Sequence, residues 1–161
     1  MPDKAEVRSA LRESIARALA QMAHAAQQTR EGATHEENRA EGDKDTRATE
    51  QSYIARGQAM RVEELAEQLA RVEAMPVRAW GDDEPIAAGA LVRVRIDGEE
   101  QRTFFVTPWG GGTELSVAGI TVTCVAPATP VGRALCGRRE GDELELAVRG
   151  AAREWEIERV T

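Results

Sequence analysis

Two long runs with helical spacing flank a segment that cannot enter a hydrophobic core. Residues 31–47 (EGATHEENRAEGDKDTR) carry six carboxylates and no aliphatic side chain larger than alanine. Upstream, Val7, Leu11, Ile15, Leu19, Met22 and Ala26 recur in steps of 4, 4, 4, 3 and 4, one face of an amphipathic helix. Downstream, Tyr53, Ile54, Gln58, Arg61, Val62, Leu65, Leu69 and Val72 trace a second helix, and the steps 3, 4, 3 from Val62 form a coiled-coil seam. Gly32 reads as the stop of the first helix near Arg30, and Pro76 follows the second. Gly57 marks a place for a kink or a close backbone approach. A helix of about 27 residues is roughly 40 Å long. The economical way to bury both stripes is an antiparallel coiled-coil hairpin over 1–75, with 31–47 as an acidic tip.

At 76 the period changes. Residues 91–96 (LVRVRI) alternate and meet the turn Asp97-Gly98, and 103–107 (TFFVT) is strand-like. Residues 114–117 and 120–125 flank Ala118-Gly119, and 143–148 and 153–160 flank Gly150-Ala151, as two hairpins. Between them 130–136 (PVGRALC) reads as one short helix, with Pro130 in its first turn and Gly137 beyond its end. The fold class is α+β: a helical hairpin, then a mostly antiparallel sheet with one helix over 76–161.

Composition removes several functions. Net charge is −7, with 11 basic and 14 acidic residues in 1–75 and 10 and 14 in 76–161. Neither half has the cationic excess that phosphate neutralisation demands, so sequence-specific DNA binding is not expected. No window approaches 18 consecutive apolar residues, so no membrane span is expected. The charged N-terminus is no signal peptide, and two cysteines, Cys124 and Cys136, with no CxxC point to reduced thiols in the cytoplasm. His35-Glu36-Glu37 lacks the second histidine of HExxH, since Arg39 stands there. Residues 110–112 lack the Lys-Ser/Thr of a phosphate loop, and no serine lies in a triad pattern.

The run 129–137 (TPVGRALCG), then RREGD to Asp142, then a strand hairpin, resembles the C-terminal domain of the bacterial Gre factors, where a Ser-Pro-hydrophobic motif opens a short helix and a Gly-Asp turn and two strands close an FKBP-like domain. Residues 89–94 (GALVRV) are similar to the opening of that sheet. With the acidic-tipped helices in the right place, nearly the whole chain resembles a divergent subgroup of this GreA/GreB-like family. The resemblance implies RNA polymerase as partner, an FKBP-like domain on the rim of the secondary channel, and a coiled coil carrying its tip to the catalytic centre and, indirectly, to the RNA 3′ end. It also implies docking through Pro130, Val131 and Arg133, as a monomer and not as an enzyme in its own right.

The family's tip pattern is Gly-Asp-x-x-Glu-Asn. Gly42-Asp43 matches its start, but Thr46 stands three positions after Asp43 where the family has Glu. Asp43, Asp45 and Glu41 are the candidate carboxylates. They are hard oxygen ligands suited to a Mg²⁺ shared with the polymerase, where a second ion assists two-metal phosphodiester cleavage. Asp43 or Asp45 would equally serve as an N-cap of the second helix. The missing Glu keeps a second outcome open, modulation or inhibition without cleavage. A self-associating coiled-coil scaffold and an FKBP-like chaperone are the readings from other classes.

Overall fold

The computed structural model describes residues 1–37, 44–81, 83–148 and 150–161, with the backbone alone at 33–37, 44–48 and 148. Elements follow in the order α1 (Lys4–Glu37), α2 (Lys44–Ala74), β1 (Leu91–Ile96), β2 (Glu100–Val106), β3 (Glu114–Val117), β4 (Ile120–Val125), α3 (Pro130–Leu135), β5 (Glu143–Val148) and β6 (Ala151–Val160). The chain is α+β, an N-terminal helical region followed by a mixed sheet. Among the described residues no helix is long and apolar enough to cross a membrane.

Two compact units emerge: Met1–Arg12 with Ala74–Thr161, and Glu13–Glu73. The first unit thus takes in about two and a half turns at the start of α1. Their anchoring explains this. Asp3 caps α1 by accepting from Ala5 N at 3.0 Å. Arg8 donates to Met75 O at 2.7 Å and Lys4 to Arg78 O at 2.8 Å. Val7 and Leu11 are fully buried. Gly110, in the loop after β2, takes φ 67°, and Leu11 Cδ1 lies 2.7 Å from where its Cβ would stand, so backbone and space both favour glycine there.

Lys4 is 7% exposed and lies over the Trp80 ring at 4.9 Å, with the Arg78 guanidinium over the same ring at 4.0 Å. Burial, reinforced by repulsion from Arg78 and opposed by Glu84, lowers its pKa from 10.5 to about 8. The folded state therefore binds fewer protons here than the unfolded chain, and stability from this group rises as pH climbs from about 8 towards 10.5. Thermal midpoints at pH 7.5 and 9.5 check this: that contribution should vanish in Lys4→Met, and an identical pH response in both proteins would refute it.

The sheet order is β3-β4-β2-β1-β6-β5. All neighbours are antiparallel except β2 and β4, which pair in parallel from Thr103↔Val122 to Val106↔Val125. The sheet is thus mostly antiparallel, as expected, with one parallel junction that was not: the β3–β4 hairpin places β3 at the edge, so β4 returns alongside β2. On one face, Val92, Val94, Ile96, Phe104, Trp155 and Ile157 join Leu135 of α3 in a single core. Trp155 stacks on Phe104 with ring centroids 5.6 Å apart. On alternate positions Leu91, Phe105, Val122 and Cys124 are also buried. Burial raises the Cys124 thiol to about 12, which leaves it un-ionised and inert.

A β-bulge at Glu158, between Arg93↔Arg159 and Val94↔Ile157, turns that carboxylate onto the polar part of the sheet. Burial opposes its ionisation. Bonds from Arg95 and Gln101 and the charges of Arg95 and Arg93 outweigh that and hold it below the usual carboxylate range.

In the second unit Ile15, Ala26, Leu65 and Val72 are buried, as their spacing requires. Three expectations fail there. Gly32 does not stop α1, which runs on to Glu37. Residues 31–37 and 44–47 are thus helical and not part of a turn. Of the two roles open to Gly57, the close backbone approach is not met: no atom of the described residues lies within 4 Å of an added Cβ. Tyr53 and Ile54, counted in the apolar stripe, are 71% and 56% exposed.

Candidate functional site

The tip carboxylates divide at the start of α2. Asp45 is the second residue of that helix, and its backbone is all that is described. Glu41 and Asp43 lie outside the described residues. Among the described residues no three His, Cys, Asp or Glu side chains gather as a metal site.

The second candidate surface is α3 with the loops that hold it. Thr129 is its N-cap, accepting from Gly132 N at 3.1 Å while its hydroxyl donates to Ala126 O at 2.8 Å. Pro130 occupies the first turn, where its missing N–H costs nothing. Beyond the helix Gly137 adopts φ 84° and donates to Ile86 O, and Arg138 O accepts from Ile86 N, both tying α3 to the segment before β1.

Of the three docking candidates, Pro130 and Arg133 are exposed, whereas Val131 is half-buried against the core. The Arg133 guanidinium donates to Ala128 O at 2.7 Å, and Arg139 Nε to Asp83 O at 2.9 Å. With exposed Arg138, three guanidinium groups lie around one six-residue helix. The structure brings Pro130, Val131 and Arg133 onto α3, and Asp45 belongs to the other unit.

One surface escaped the sequence reading. Glu143 pairs directly with Glu156, and Glu145 with Glu154, across β5 and β6. These four exposed carboxylates and Arg95 line a surface cleft of about 440 Å³. Like charges directly opposite are destabilising in a sheet. The alternating glutamates at 143, 145, 154 and 156 were the available signal, but pairing them needed the register of the hairpin.

No family model matches the chain. It is 34% identical over 103 residues to the transcription elongation factor GreA of Hyphomonas neptunium, and 32% identical over 100 residues to that of Mesorhizobium japonicum, in each case over 62% of this chain. Over this stretch the chain is similar to the Gre-type transcription elongation factors. It spans 60% of the length of each of these curated Gre relatives. Among solved structures, Gfh1 of Thermus thermophilus, a GreA factor homologue, aligns over 93% of this chain and 94% of its own at 20% identity with a TM-score of 0.40. A GreA/GreB elongation factor of Nitrosomonas europaea aligns over 62% of this chain and 78% of its own at 25% identity with a TM-score of 0.39.

Proposed function

We propose that this chain is a transcription elongation factor that binds bacterial RNA polymerase at the secondary channel and presents the tip between α1 and α2 to the catalytic Mg²⁺. The observation that carries this is the 34% identity to a GreA factor over 103 residues. Two helices of 34 and 31 residues support it, because each is about 50 Å long and can carry side chains far from a compact body. In this reading 1–75 is an antiparallel hairpin, 76–161 is an FKBP-like domain, and Pro130, Val131 and Arg133 dock on the channel rim. The factor works as a cytoplasmic monomer. It is no enzyme itself but a supplier of groups to the polymerase's own hydrolysis of backtracked RNA.

Asp43, Asp45 and Glu41 fit Mg²⁺ by chemistry, being hard carboxylate donors. The ion would stabilise the in-line transition state of phosphodiester cleavage. Asp45 follows the first residue of α2, and a helix dipole favours an anion in the first turn, which supports its presence in this set. One observation favours a second reading. Thr46 stands where the family pattern has Glu, which removes a carboxylate and suits a modulator that occupies the channel without promoting cleavage.

Competition with GreA for core polymerase, followed by a cleavage assay on stalled complexes, tests both. The cleavage reading expects stimulation by the wild type, lost in Asp43→Asn/Asp45→Asn with binding retained. Binding without stimulation selects the modulator, and failure to compete with GreA rejects the polymerase reading altogether.

A further inference from the structure

The outer face of α2 carries a stripe that the chain itself does not use. Tyr53, Gly57 and Met60 stand at i, i+4 and i+7 and therefore share one helix face, with Ile54 at its flank. Tyr53, Ile54 and Met60 are 71%, 56% and 55% exposed, whereas Leu65 and Val72 of the same helix are buried. Between Tyr53 and Met60, Gly57 leaves open space. A glycine in a helix interior costs about 1 kcal/mol relative to alanine, and here it returns no close contact among the described residues. Two bulky apolar side chains on either side of a bare stretch of backbone make a notch for a protruding group. One turn further on, Arg61 and Glu64 pair with each other at 2.9 Å and close the stripe.

We infer that this stripe is a contact surface for RNA polymerase, seating an apolar projection of the channel wall over Gly57 between Tyr53 and Met60. The inference rests on the polymerase reading and extends it along the helix. At 1.5 Å per residue Tyr53 lies about 12 Å and Met60 about 22 Å behind Asp45 on the same helix. If the tip reaches the catalytic centre, the stripe is inside the channel with it, where its apolar area is removed from water only by the wall. A second copy of the chain is the weaker occupant. A stable interface buries roughly 800 Å² on each partner, far more than three side chains supply, whereas the polymerase adds this contact to those of the tip and of α3.

The test uses the full chain with Tyr53→Ala/Met60→Ala, and separately Gly57→Leu, which fills the notch. All three positions are exposed and the new residues are good helix formers, so helicity and thermal midpoint should match the wild type in Tyr53→Ala/Met60→Ala and match or exceed it in Gly57→Leu. Competition for core polymerase should weaken by about tenfold or more in each, as expected for loss of a buried aromatic anchor. Wild-type binding with unchanged affinity of both variants overturns the stripe and leaves the polymerase reading standing. No wild-type binding overturns both. Sedimentation showing a wild-type dimer that Tyr53→Ala/Met60→Ala dissolves assigns the stripe to a second copy and overturns the proposal.

Discussion

Gly132→Ala is expected to lower stability by about 3 kcal/mol or more, although intrinsic preference alone predicts the opposite sign. Alanine is favoured over glycine in a helix by about 1 kcal/mol, and the φ of Gly132 is not in the left-handed region. The obstacle is the neighbouring backbone. A Cβ on Gly132 would stand 2.0 Å from Ala126 O, 2.8 Å from Ala126 C and 2.9 Å from Pro127 Cα. Ala126 O cannot retreat freely, because it accepts from both Thr129 N at 3.0 Å and Thr129 Oγ1 at 2.8 Å. Pushing it away dismantles the turn and the cap of α3 together, and Leu135 leaves its seat in the core. Overpacking of this kind typically costs 1–3 kcal/mol, and more where no flexible side chain can yield. Urea denaturation reads the effect directly. A variant as stable as the wild type would mean that α3 does not sit this close to the 126–129 turn.

Trp155→Ala should cost about 3–5 kcal/mol, the range for truncating a large buried aromatic. Trp155 is 3% exposed, stacks on Phe104, and stands between Ile96 on β1 and Leu144 on β5. Its removal opens the core where three strands meet. Its indole Nε1 is buried without a hydrogen-bond partner among the described residues, a penalty of about 1–3 kcal/mol already carried by the native state. Trp155→Phe discards that penalty while keeping most of the ring, so its loss should be well under half that of alanine. Equal losses from both substitutions in the same denaturation series would show that the ring's contacts are not what stabilises this junction.

Local chemistry explains which parts of the fold were legible in advance. Asp97-Gly98 and Ala118-Gly119 take φ of 50° and 74°, and 50° and 76°, the paired positive values of tight hairpin turns. Such turns announce themselves in sequence, and β1, β3, β4 and β5 begin and end where the alternation does. Gly32 misled because a single glycine costs only about 1 kcal/mol, too little to end a helix whose neighbours continue to favour it. The parallel pairing of β2 with β4 is invisible to periodicity, which reports which side a residue faces but not which strand lies beside it. Tyr53 and Ile54 were assigned to the buried stripe for the same reason: spacing gives a face, and only the packing partner decides its burial. At the candidate site, the turn chemistry of Thr129, Pro130 and Gly137 identified α3, while Val131 faces inward because the core beneath the helix needs it there.

The attachment of the first twelve residues to the sheet has a consequence for biosynthesis. A ribosome releases Val7 and Leu11 well before the segments they share a compact unit with, from Ala74 onward. The intervening 13–73 segment has its partners within itself and can organise during translation. The sheet must wait until β6 has emerged to pair with β1, and docking α1 on that unit then joins residues about seventy to one hundred positions apart, the kind of long-range contact that slows folding. Through that delay the apolar face of Val7 and Leu11 stays uncovered, the kind of exposed surface that holdase chaperones bind.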